Sequence, residues 1–210
     1  MTVELQPEEF ALVLFEPADV RALVERLTAE VGLPGDLAVR LEVDETTPLG
    51  NARVSSLDPV VLSVESGALE DAKAPRRFDP VGAADVLGRL LFEVRDRLDP
   101  AFGEPPAGDE LTLRHASAWQ SYCVGRVGRL GHRVQRQRRL YHFRNRHGFS
   151  DAADAAFEQL WTGEDLTWAD LDATAAYALG SGAADWLRSR RRTALVVRDD
   201  GSTEILGHAA

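Results

Sequence analysis

Arg126, Arg129, Arg133 and Arg136 recur at spacings of three and four, which puts their side chains on one face of a helix. Arg139 extends the series, and Tyr141 and Phe143 are interleaved with further arginines. Guanidinium groups beside aromatic rings suit a phosphate backbone and stacked bases. Between Leu111 and Ser150 the chain carries nine arginines, four of its five histidines, and neither Asp nor Glu. The whole chain has a formal net charge of −10, so with those nine positive charges set aside the rest sums to −19. Such acidity repels a polyanion unless the basic face is well segregated. Asp151, Asp154, Glu158, Glu164, Asp165, Asp170 and Asp172 follow directly and offer the arginines a nearby counter-charge. The first expectation is therefore a non-enzymatic interaction protein, pairing with itself or with an acidic protein partner. The alternative is binding of nucleic acid or a phosphorylated ligand through Arg126, Arg129, Arg133, Arg136, Arg139, Tyr141 and Phe143.

A second constellation has the chemistry of a metal site. His142 and His147 are five apart, and Asp151 lies four beyond His147. On a continuous helix, His147 and Asp151 would share a face and supply nitrogen and oxygen ligands. Gly148 stands between them and opposes continuity. There is no paired cysteine, no GxGxxG, no P-loop and no GxSxG elbow. The single cysteine, Cys123, falls on an apolar helical face, where a thiol is inert. A metal-dependent hydrolase working through His142, His147 and Asp151 is a further alternative, although no catalytic residue and no cofactor is assigned. Glu93 and Asp96 share a segment with Arg89, Arg95 and Arg97, the pattern of a solvated, ion-paired helix face.

An α+β fold must position these groups. At 210 residues the chain suits one domain, or one domain with a helical extension. Pro17 opens a helix whose apolar positions are Val20, Leu23, Val24, Leu27 and Val31, with Gly32 and Pro34 as its stop. Leu37, Val39, Leu41 and Val43 alternate with polar residues as in a half-buried strand. Ala52–Ser55 and Val60–Val64 read as further strands, and Glu70–Arg77 as a polar loop. Asp79 and Pro80 are N-cap and N1 of a helix that Pro100 closes. The expected organisation is an α+β unit over 1–101 with a small sheet packed on helices, then a helical region over 109–192. One long basic helix leads that region, its apolar face running Trp119, Cys123, Val127, Leu130, Val134, Tyr141. Glycines 125, 128 and 131 either permit close packing there or fray it. Ser150 and Thr167 are capping residues of two later helices, a short helix is expected through Trp186, and 193–207 closes as a hairpin about Asp200-Gly201. One cysteine fits a reducing cytoplasm, and no apolar run is long enough for a membrane span.

From Pro17 to Pro100, the order helix, strand, further strands, helix resembles a minimal zincin-like metallopeptidase domain, whose last helix carries HExxH. That helix here reads Leu90-Leu91-Phe92-Glu93-Val94-Arg95-Asp96. Glu93 matches the general-base glutamate, while Phe92 and Asp96 stand where the family has its zinc histidines. Asp99 replaces the downstream glycine and Phe102 the third ligand. The resemblance implies a zincin-like scaffold that has lost its metal and its peptidase chemistry.

Overall fold

A computed structural model describes residues 2–108, 110–183, 194–197 and 203–206, the last two stretches as backbone. The fold is α+β, with a mixed four-stranded sheet in the N-terminal half. Its strands are Thr2–Gln6 (β1), Ala38–Asp44 (β2), Ala52–Leu57 (β3) and Val60–Glu65 (β4), in the order β1-β2-β4-β3. β1, β2 and β4 run parallel and β3 is the antiparallel edge. β1 was not expected from the sequence. Its alternation is Thr2 and Glu4 out, Val3 and Leu5 in, and it pairs in register with β2. On the inner face Val3, Leu5, Val39, Leu41, Val43, Val60, Leu62 and Val64 are all buried. The outer face is polar, as where Arg40 on β2 donates to Glu4 on β1.

Two helices cover the inner face. Pro17–Val31 (α1) connects β1 to β2, as a parallel pair requires. Pro80–Leu98 (α2) follows the sheet; Asp79 caps it by accepting from the Val81 N–H, and Pro80 occupies its first turn. Between β4 and α2 the expected polar loop is instead a small antiparallel pair, Glu70–Asp71 (β5) and Ala74–Phe78 (β6). Its residues are too polar and too few to show a strand period, so turn chemistry alone marked it.

The expected long basic helix is two helices. Leu113–Arg129 (α3) ends at Leu130, with Gly131 at φ +92° just beyond, and Arg136–His147 (α4) starts afresh. Glycine adopts that left-handed backbone without the steric penalty other residues meet. The break resets the helical phase. The buried stripe of α3 includes Trp119, Cys123 and Val127, whereas α4 turns Phe143 and His147 inward and leaves Tyr141 exposed. Asp151–Thr162 (α5) and Trp168–Tyr177 (α6) complete the helical layer. Ser150 caps α5, and Thr167 with Asp170 forms a capping box on α6. One hydrophobic core runs from Val3 and Leu5 through α1, α2 and α3 to Ala175 and Ala178.

Ala194–Val197 (β7) and Thr203–Leu206 (β8) are antiparallel neighbours. The expected turn at Asp200-Gly201 and the short helix through Trp186 lie outside the described residues. Among the described residues, no helix is long and apolar enough to cross a membrane.

Candidate ligand cleft

The first half of α2, the start of β3 and the basic helix α4 enclose a cleft of about 510 Å³. That volume lies within the range of small-molecule sites. α2 and its N-cap contribute Asp79, Gly82, Asp85, Val86 and Arg89; Asn51, Ala52 at the start of β3, Gly67 and Glu70 of β5 lie beside it. Facing them are Gln120 of α3, Gln135 at the N-terminal end of α4, and Arg138, Arg139 and His142 on α4. Residues 135, 138, 139 and 142 fall on one face of a helix, and Phe143 and His147 on the next face enter the core. The break at Gly131 thus aims the cationic stripe of α4 at α2.

Arg139 is half-buried, and among the described residues its side chain donates one hydrogen bond, to Gln120 Oε1 at 3.0 Å. Burial and the neighbouring Arg89 push its pKa down to about 10, against the opposing pull of Asp85 and Glu93. It stays protonated at neutral pH. Burial and then Arg139, Arg138 and Arg146 push the His142 pKa below its ordinary value, so its imidazole is neutral at pH 7. On the opposite wall, Arg89 donates to Glu93 at 2.6 Å and to the Ala52 carbonyl at 3.0 Å, fixing α2 to the edge strand. Asp85 accepts a long bond from the Gln135 N–H at 3.4 Å through Oδ2; its Oδ1 is shielded from solvent and accepts none. Among the described residues no ion pair within 4.0 Å joins Asp85 to Arg138 or Arg139.

The expected binding residues are dispersed. Arg126 points into the protein. It donates to both oxygens of Asp96 at 2.7 and 2.5 Å, and its guanidinium lies 4.3 Å from the Phe92 ring centroid and 3.9 Å from that of Tyr122. Burial opposes that charge, but the Cys123 sulfur and Asp96 outweigh it and hold its pKa above the ordinary value. Asp96 is buried, not part of a solvated face, because α1 and α3 both pack on α2. Arg129 donates to the carbonyls of Trp161 and Gly163, satisfying the C-terminal end of α5. Arg133 is exposed. Arg136 bonds Glu158, and Arg144, on the same helix, is bidentate to Asp154 at 2.7 and 2.5 Å. Tyr141 is exposed and packs edge-on against Phe149. Phe143 is not on the basic face: it is fully buried and stacks on His147 at 4.0 Å.

The four histidines among the described residues go four ways. His115 lies 3.0 Å from Asp172, His132 bonds Glu30 on α1, His142 lines the cleft, and His147 donates from Nε2 to the Arg114 carbonyl. His142, His147 and Asp151 do not form a ligand set. Gly148, at φ +109°, ends α4, His147 is buried and Asp151 is exposed in the first turn of α5. Among the described residues, no group of three or more His, Cys, Asp or Glu is placed to hold a metal.

The three positions laid on the zinc ligands fare no better. The Phe92 ring lies against Arg126, and Asp96 is taken up by Arg126 and by the Trp119 Nε1–H at 2.7 Å. Phe102 is stacked on Trp119 at 5.5 Å. A guanidinium already supplies the positive charge there, and two of the positions are phenylalanines, so these residues do not fit zinc.

Sequence reasoning missed Asp85, Gln120 and Gln135. Asp85 and Arg89 at i, i+4 was the available signal on α2; nothing marked the two glutamines. Comparison with protein-family models, with curated proteins and with solved structures found no match for this chain.

Proposed function

We propose that the protein binds a small anionic ligand, of the phosphorylated class, in the cleft between α2 and α4. One contrast carries this reading. Arg126, Arg136 and Arg144 each meet a carboxylate of their own chain, whereas Arg138 and Arg139 line the cleft with none within 4.0 Å among the described residues. The same contrast weighs against self-association through Arg126 and Arg136, whose charges the chain already neutralises. Nucleic acid is disfavoured by the concave site and the chain's net charge of −10. Arg138 and Arg139 supply paired donors of the kind that recognise phosphate, with His142 and Gln120 as neutral partners.

The test is calorimetric titration of the protein with inorganic phosphate at low ionic strength. Saturable one-to-one binding is expected, weakened about tenfold or more by Arg138→Ala or Arg139→Ala. No heat of binding in the wild type, or equal affinity in both variants, overturns the proposal.

A further inference from the structure

The cleft is electrically two-sided. Arg138 and Arg139 stand on the α4 wall, and Asp85 faces them from α2 without pairing to either. Among the described residues, the Asp85 carboxylate makes no ion pair and accepts one long hydrogen bond, from the Gln135 N–H to Oδ2 at 3.4 Å. A carboxylate so weakly satisfied on the wall of a cleft gains from a donor placed there. An anion alone would satisfy the arginines and be repelled by Asp85. A ligand carrying both an anionic group and an amine would satisfy both walls.

We infer that the ligand is dipolar: a phosphorylated amine whose anionic end meets Arg138 and Arg139 and whose ammonium end donates to Asp85. The inference rests on the proposed anion site and adds the second pole. Its geometry follows from the packing of α4 against α2, with Gln135 bridging the walls through its backbone N–H to Asp85 Oδ2. The titratable and charged groups that share the cleft with Asp85 are Arg138, Arg139 and His142 of α4, Glu70 of β5, and, on its own helix and cap, Arg89 and Asp79.

The experiment compares two probes, inorganic phosphate and phosphoethanolamine, by calorimetry on the full chain and on Asp85→Asn. In the wild type, phosphoethanolamine should bind at least tenfold tighter than phosphate. Asp85→Asn should change the two affinities in opposite directions, weakening phosphoethanolamine by about tenfold and strengthening phosphate, because the repelling charge is gone. Equal wild-type affinities for the two probes, or weakening of both by Asp85→Asn, overturn the dipolar ligand while leaving the anion site standing. Failure of both probes to bind overturns the anion site and this inference together. Circular dichroism and a urea midpoint for Asp85→Asn guard against a folding defect. If that variant is unfolded, Asp85→Ser replaces it with the same expected crossing.

Discussion

The Arg126 guanidinium and the Asp96 carboxylate meet face to face, Nη1 to Oδ1 at 2.7 Å and Nη2 to Oδ2 at 2.5 Å, across the α2–α3 interface. Removing one partner strands the other charge inside the protein. Arg126→Ala should therefore cost about 3–5 kcal/mol. Replacing both groups, as Arg126→Met with Asp96→Leu, should recover much of that loss, since the pair bears a desolvation cost of its own. Urea unfolding of the two singles and the double gives the coupling; strictly additive losses would contradict it.

Glycines 125 and 128 are one helical turn apart but do different work. A Cβ on Gly125 would stand 2.3 Å from the Trp161 carbonyl oxygen, whereas on Gly128 it meets only Val134 Cγ2 at 3.2 Å. Gly125→Ala should destabilise by about 1–3 kcal/mol through forced separation of α3 and α5. Gly128→Ala should fall close to neutral, its gain in helix propensity of up to about 1 kcal/mol offsetting the contact. Thermal unfolding of the two variants distinguishes them, and a stabilised Gly125→Ala would contradict the packing.

Burial, against a hydrogen bond to the Arg114 carbonyl, pushes the His147 pKa down to about 4 from an ordinary 6.5. Between those values the unfolded chain binds the proton that the folded one refuses, so stability rises with pH. The contribution is complete above pH 6.5 and is lost as pH falls through 4, amounting to about 3 kcal/mol over the window. Urea midpoints measured from pH 7 to pH 4 should fall less steeply for His147→Leu than for the wild type. Arg114 and His115 add to the effect by repelling the imidazolium.

Ligand in the cleft should stabilise the fold by mass action. At phosphate concentrations one hundred times its Kd the gain is about 2.7 kcal/mol. For a chain of this size that raises Tm by roughly 5–10 °C. Arg139→Ala, with affinity about tenfold weaker, should cut the rise to about half at the same phosphate concentration, read by scanning calorimetry with phosphate-free buffer as the reference.

Zinc should be neither retained nor stabilising, because Phe92, Asp96 and Phe102 are committed to the packing around Arg126 and Trp119. Metal content after incubation with zinc and exhaustive dialysis reads this directly; one equivalent bound would reverse the conclusion.

Periodicity made α1, β2 and α2 legible, because each buries one regular face: Val20, Leu23, Val24 and Leu27 on α1, Val39, Leu41 and Val43 on β2. Asp79, Ser150 and Thr167 announced their helices by capping chemistry that acts within four residues. What local pattern could not show was phase across Gly131. A single left-handed residue rotated every position after it, sending Phe143 inward and Arg139 to the cleft. Asp96 was misread for a related reason. It lies off the apolar stripe of α2, and only a second helix packed on that side, delivering Arg126, makes it interior. Arg139 was noticed for its charge and His142 as a metal ligand, but their convergence with Asp85 joins residues more than fifty positions apart. Such a meeting has no local signature.

Cys123 is fully buried, its sulfur accepts a hydrogen bond from Arg126 at 3.3 Å, and burial raises its pKa well above that of a free thiol. With one cysteine in 210 residues, the native protein presents no thiolate to solvent reagents. Alkylation of the wild type therefore clocks opening of the α2–α3 interface, one event per molecule. A cysteine placed on the surface at Arg133 or Tyr141 would take up a dye or spin label alone, without first removing the natural thiol.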